Sequence, residues 1–160
     1  MNIGIVSSVG GHLSEILQLR PVYGQYPHFY ILNDAVPHGE ALGATCHVIA
    51  HSERDWRVLL NVVEIWRIYR VERPDLVISA GAGPAVPAFV VAGLMGVPRL
   101  FIETFAAVSR PSLTGRIIYR LRLYDEFLYQ WEGLSRAFPR AKYAGWIYDP
   151  RGFGQRQTAL

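Results

Sequence analysis

The stretch Ser7-Ser8-Val9-Gly10-Gly11-His12 brings together residue types that suit phosphate or proton chemistry. It stands between a short apolar run, Asn2–Ser7, and a segment with helical spacing of apolar residues. Glycines at such a junction allow positive φ and close backbone approach, and a helix start presents amides to an anion. His12 can donate to a phosphate or accept a proton as a base. A tight turn that uses glycine for shape alone, with His12 exposed in the first helical turn, accounts for the same residues. Spacing leaves both readings open. Gly81-Ala82-Gly83-Pro84 repeats the pattern after a second apolar run, Leu76–Ser79. Two such loops in one sheet point to a diphosphate or phosphosugar site more strongly than either loop alone. The dinucleotide fingerprint Gly-x-Gly-x-x-Gly is absent. Asp34, placed where a ribose-binding acid would stand, is what remains in favour of a free-standing nucleotide-binding domain.

Glu103 ends the apolar run Leu100-Phe101-Ile102 and precedes Thr104-Phe105-Ala106. A carboxylate there can accept a proton or bind a sugar hydroxyl; it can equally cap neighbouring backbone amides. No second carboxylate has a spacing that demands pairing with it. From Arg110 to Tyr124 there are four arginines and no acidic residue. On a helix, Leu113, Ile117, Leu121 and Tyr124 share one side, with Ile118 beside them, and Arg116 and Arg120 form an i,i+4 pair elsewhere. Such a helix can face anionic headgroups or a lipid-linked phosphate, or simply pack its apolar side on a sheet. His47 and His51 have a metal-chelating spacing only on a helix, and an extended chain holds them roughly 13 Å apart. No metal and no cofactor are expected. Trp131 and Trp146 read as core or subunit-contact residues, not as platforms for base stacking.

These residues must be positioned by alternating strands and helices. Strands are expected at Asn2–Ser7, Phe29–Leu32, Cys46–Ala50, Leu76–Ser79, Arg99–Glu103 and Glu126–Tyr129. Helices are expected at His12–Arg20 (stopped by Pro21), Trp56–Val71, Ala85–Met95, Leu113–Leu123 and Glu132–Phe138. Trp56–Val71 carries a stripe of Leu59, Val62, Val63, Trp66 and Tyr69. Pro87 falls in the first turn of its helix, where proline is tolerated. The alternation implies an α/β fold: a Rossmann-like, mostly parallel sheet with helices on both faces. Ligands of such sheets bind beyond the carboxyl ends of the strands, so Ser7–His12, Asn33–His38, His51–Asp55, Ala80–Pro84 and Thr104–Ser112 carry most weight.

The composition bounds these readings. The chain has 160 residues, 51% hydrophobic and 18% charged, which suits one domain with a sizeable core and excludes a disordered segment. The expected domain is 1–148, with 149–160 a tail. Cys46 stands alone, so neither an internal disulfide nor a thiolate zinc site is available. A net charge of +3 is too small to imply nucleic acid. Lys142 is the one lysine, and arginine is the better partner for phosphate and carboxylate. The uncharged run from Leu76 to Val97 has membrane-spanning length, but its glycines and prolines favour strand, loop and buried helix. The N-terminus has no basic region ahead of its apolar run, so a cytoplasmic location is expected.

Taken together, Ser7-Ser8-Val9-Gly10-Gly11-His12-Leu13, Gly81-Ala82-Gly83, Ile102-Glu103-Thr104-Phe105-Ala106, Ser112-Leu113-Thr114-Gly115-Arg116 and Gln130-Trp131 form an ordered set. The set resembles the acceptor-side subunit of the two-chain N-acetylglucosaminyltransferase of dolichol-linked oligosaccharide synthesis. It resembles still more the bacterial counterparts of that subunit, the PssD-like proteins of exopolysaccharide and capsule assembly. The glycine loop ending in histidine is also similar to that of the one-chain peptidoglycan transferase MurG.

The resemblance implies the N-terminal half of a two-domain, GT-B type glycosyltransferase divided between two polypeptides. This half would recruit its partner to the inner face of the membrane as a peripheral protein and help bind a lipid-linked saccharide acceptor. The partner, a second Rossmann-like chain, would carry most of the UDP-sugar site. Transfer would go to a polyprenyl-diphosphate-linked saccharide, with inversion and with no metal required by the fold. By position, Ser8, Gly10, Gly11, Gly81 and Gly83 would approach the acceptor diphosphate, with His12 as base. Glu103 and Thr104 would line the cleft, Glu103 as the second catalytic candidate, and Arg116 would lie near membrane or phosphate. The family often has Ser-Phe-Ala-Arg after the glutamate, where this chain has Thr104-Phe105-Ala106-Ala107; Arg110 is the candidate to replace the missing arginine. The eukaryotic subunit also begins with a membrane-spanning segment, whereas this sequence starts at its first strand. The alternative function is a non-catalytic scaffold that docks and activates a separate transferase chain.

Overall fold

The computed structural model describes residues 1–35, 42–49 and 57–148, with the side chains of the helix that starts at 57 described from residue 60 onward. Seven strands form one sheet in the order β3-β2-β1-β4-β5-β6-β7, and every pairing is parallel. They are β1 (Ile3–Ser7), β2 (His28–Leu32), β3 (Thr45–Val48), β4 (Leu76–Ser79), β5 (Arg99–Ile102), β6 (Glu126–Tyr129) and β7 (Lys142–Tyr143). Between them run α1 (Gly11–Leu17), α2 (Arg20–Tyr23), α3 (Arg57–Glu72), α4 (Ala85–Leu94) and α5 (Leu113–Arg120), and a 3-10 turn spans Glu132–Leu134. This is the expected Rossmann-like fold. The expected tail, 149–160, and the strand-end residues His38 and His51–Asp55 lie outside the described residues.

All five residues of β1 are buried, as befits a central parallel strand covered on both faces. Ile3 and Ile5 pack with Leu13, Ile16, Tyr23, Tyr30 and Ile102 on the side of α1 and α2. Val6 turns to the other face, where Phe29, Ile65, Tyr69, Phe89, Phe101, Ile118 and Phe127 meet beneath α3, α4 and α5. The uncharged run at 76–97 resolves into β4, a loop and α4, and among the described residues no helix is long and apolar enough to cross a membrane.

Several elements differ from the expectation. Pro21 does not stop a helix: α1 ends at Leu17, and Pro21 occupies the first turn of α2, where its missing N–H costs no helical bond. The buried positions of α3 are Asn61, Ile65 and Tyr69, with Val62 and Ile68 packed beside them, whereas Val63 and Trp66 face outward. The apolar side expected for α5 is only partly the buried one: Ile118 and Tyr124 pack into the core, Leu113 and Leu121 do not. Gly115, Ile118 and Tyr119 face the core, and Leu113 and Leu121 are exposed beside Arg116, Arg120 and Arg122. The helix stops at Arg120, short of Leu123, because Arg122 takes a φ of 53°. Leu123 N–H then donates back to Ile118 at 3.0 Å, the closing bond of a Schellman turn. The short β7 was not foreseen.

Candidate functional site

Strand order reverses between β1 and β4, and in parallel sheets the crevice beyond the carboxyl ends at that point is the ligand site. The two glycine loops follow these two neighbouring strands. Gly10 has φ 106° and Gly81 φ 113°, both in the region that favours glycine. Gly10, Gly11 and Gly83 are exposed, Ser8 is half-buried, and the helical ladder of α1 begins with Ser14 N–H donating to Gly10 at 3.0 Å. From the end of β2, Asn33 Oδ1 accepts the Val9 amide at 3.0 Å and so fixes the first loop. The second is held by Ser79 Oγ, which donates to the Gly81 carbonyl and accepts its amide, each at 3.2 Å.

His12 joins the loops. Its Nδ1 lies 3.2 Å from the Ala80 carbonyl oxygen, and its ring sits where a Cβ on Gly81 would come within 3.2 Å. A carbonyl only accepts, so Nδ1 carries the hydrogen, and in the tautomer without a second proton Nε2 is a lone pair. Gly81 therefore serves both the backbone angle and the room for the imidazole.

Below this surface lies a second layer that the sequence did not reveal. Glu15, one turn beyond His12, is buried on the sheet side of α1. Its carboxylate accepts from Thr104 Oγ1 at 2.8 Å, the Phe105 amide at 2.7 Å and Gln130 Nε2 at 2.5 Å. Gln130, at the end of β6, also donates to the Glu103 carbonyl at 3.0 Å and accepts the Ile147 amide at 2.7 Å. Trp131 Nε1 donates to the Phe105 carbonyl at 2.7 Å. The Trp131 and Trp146 rings lie 5.1 Å apart, and Trp146 is half exposed rather than part of the core.

Glu103 is fully buried. Its Oε1 accepts the Thr104 amide at 3.1 Å, while Oε2 has no hydrogen-bond partner. The carboxyl group lies against the first turn of α5, where a Cβ on Gly115 would overlap it. Burial pushes its pKa above the usual carboxylate range; the nearby Ser112 hydroxyl and the Thr104 and Ser112 amides oppose the rise, and the charge of Glu15 adds to it. Burial also raises Glu15, against the Phe105 amide, the Thr104 hydroxyl, the Gln130 amide and His12. Both carboxyl groups are thus raised, with three donors gathered on Glu15 and Glu103 Oε2 left without a hydrogen-bond partner.

The structure thus places Ser8, Gly10, Gly11, His12 and Gly83 at the two loops, with Gly81, Thr104 and Glu103 buried behind them. Arg110 and Arg116 are exposed on the α5 side and take no part in this network. Glu15 was missed because its partners are 89, 90 and 115 residues away in the chain. A carboxylate on the buried face of a short apolar helix, three residues after His12, was the available signal. No three His, Cys, Asp or Glu side chains converge as a metal site among the described residues.

The family model described as "Oligosaccharide biosynthesis protein Alg14 like" matches residues 47–147. The UDP-N-acetylglucosamine transferase subunit ALG14 of Rattus norvegicus is 28% identical over 178 residues, covering 89% of this chain and 81% of the relative. The subunit of the same name from Homo sapiens is 28% identical over 182 residues, covering 92% and 83%. Among solved structures, Acinetobacter baumannii MurG superposes with a TM-score of 0.76 at 15% identity, over 99% of this chain and 49% of that one. Anabaena Alr3699/HepE, solved with UDP and glucose, gives 0.67 at 12% identity, over 99% and 50%. The chain thus spans about half the length of these two folds.

Proposed function

This chain belongs to the family of Alg14-like oligosaccharide biosynthesis proteins, and from that premise we propose that it is the acceptor-side half of a two-chain glycosyltransferase. The donor is a UDP-sugar held mainly by a second Rossmann-like chain, and the acceptor is a saccharide on a polyprenyl diphosphate. The setting is bacterial surface polysaccharide synthesis of the PssD-like kind, at the cytoplasmic face of the membrane. The domain is 1–148. The observation that carries the reading is the meeting of two glycine loops at the strand-order reversal, with His12 between them. Glycine loops that open onto helix starts suit a diphosphate.

In this mechanism His12 Nε2 takes the proton of the acceptor hydroxyl as its oxygen attacks the anomeric carbon of the UDP-sugar. The new C–O bond forms on the face opposite the departing UDP, which leaves with the electrons of the broken bond, so the configuration inverts. The Ala80 carbonyl holds the ring in the tautomer that leaves Nε2 free. Glu103, fully buried and favouring its neutral form, does not touch the acceptor; it supports the loop that bears Thr104. Arg110 and Arg116 supply positive charge beside the membrane.

The test is co-expression with a candidate Rossmann-like partner chain and assay with UDP-sugars and a lipid-linked acceptor. Transfer is expected from the pair and not from this chain alone; robust transfer by the single chain would overturn the divided-enzyme reading. The burial of Glu103 favours a second reading, a scaffold that docks and activates the partner without touching the acceptor. Full activity of a His12→Ala complex would establish the scaffold instead.

A further inference from the structure

The buried carboxylate of Glu15 has no part in the chemistry proposed above, yet it accepts three hydrogen bonds behind the crevice. Three donors from two separate segments converge on it: the Thr104 hydroxyl and Phe105 amide after β5, and the Gln130 side chain after β6. All three are hydrogen-bond donors, so the cage suits an acceptor-only group, an ionised carboxylate. Gln130 carries the connection further, through its carbonyl oxygen to the Ile147 amide. Trp131 closes the circle by donating to the carbonyl of Phe105.

We propose that Glu15 is a positioning residue, which ties the Thr104–Ala106 loop and the 130–147 segment to the same helix that carries His12. The clamp fixes the distance between the His12 surface and the Thr104 loop, two walls that the acceptor spans. This role rests on the acceptor-side reading of the preceding subsection; the clamp itself does not. Glu103 is its buried neighbour, and the charge of Glu15 adds to the burial that raises the Glu103 pKa.

Glu15→Gln tests the clamp with little change in size. Its amide offers one oxygen to three donors and sets an N–H₂ group against the others. Hydrogen exchange read by mass spectrometry or NMR on the purified chain is expected to quicken at Phe105 and Ile147 by at least about tenfold, the loss of a charge-assisted bond. Strands β1 and β4 should keep their protection. Unchanged exchange at Phe105, or faster exchange spread evenly over the sheet, overturns the clamp. In the two-chain assay the same variant is expected to raise KM for the lipid-linked acceptor with kcat retained. A merely structural role would lower the active fraction, and so kcat, at constant KM, and that result overturns the positioning role. A wild-type pair that transfers no sugar refutes the functional reading while leaving the exchange result to judge the clamp.

Discussion

Replacing Gly115 by alanine probes the contact between α5 and the buried carboxyl of Glu103. Helix propensity alone favours the change by about 1 kcal/mol, because Gly115 lies within α5 and alanine is the better helix former. Packing opposes it. The new Cβ would overlap Glu103 Oε2 and stand 2.7 Å from its Cδ and 3.1 Å from Oε1. Glu103 is fully buried, so its carboxyl cannot swing into water. Overpacking of this kind costs about 1–3 kcal/mol, and disturbing the bond from the Thr104 amide adds about 1 kcal/mol. The net expectation is destabilisation by about 1–3 kcal/mol, against the sign that propensity gives. The discriminating measurement is a double-mutant cycle in urea with Glu103→Ala, which empties the space the methyl needs. In that background Gly115→Ala should become neutral or stabilising, leaving a coupling of at least about 1 kcal/mol. An equal cost in both backgrounds would refute the reasoning, since the penalty would then arise somewhere other than the carboxyl.

Three further outcomes follow from the same region. Ser112 caps α5 by accepting the Gly115 amide at 2.9 Å, so Ser112→Ala should lower stability by about 1 kcal/mol in urea melts, with Ser112→Asn retaining most of it. Burial raises the folded pKa of Glu103 above the unfolded value, so the folded chain keeps a proton that the unfolded chain releases. Its contribution is complete below the unfolded pKa and is lost as pH rises through the raised one. Urea midpoints should therefore fall with rising pH across that window, and Glu103→Gln should flatten the fall; an unchanged slope would count against a protonated Glu103. Leu113 and Leu121 stand exposed among Arg110, Arg116, Arg120 and Arg122, so the chain should float with anionic liposomes at low salt and release at high salt. No flotation at low salt would remove α5 as a membrane contact.

How much of this was legible depended on whether the deciding interaction was local. Leu76–Ser79 and Glu126–Tyr129 were bounded correctly because a short apolar strand between turn residues carries its own signal. The end of α5 was not. Its left-handed stop falls on Arg122, which announces nothing, where Gly96 at the end of α4 has φ 70° and is visible as a glycine. On α3 a stripe can be drawn through several rotations of one helix, and only the sheet decides that Ile65 and Tyr69, not Val63 and Trp66, turn inward. The glycine loops and His12 could be read as a possible site because strand, turn and helix start are neighbours in sequence.

The step from loops to a site needed the sheet order as well. Nothing in Ser7–His12 or Ala80–Pro84 states that their strands are adjacent, and the pairing of Ile3 with Leu76 through Val6 with Ser79 supplies that fact. The same adjacency explains the constraint on Gly81: it faces the imidazole that arrives from the helix following the neighbouring strand. Glu15 follows the same logic one layer deeper. A carboxylate on the buried face of α1 is unfavourable in isolation, and it becomes stable only when β5 and β6 deliver three donors to it. A residue that the local pattern disfavours, and that distant segments satisfy, therefore marks the place where the sheet assembles something other than a core.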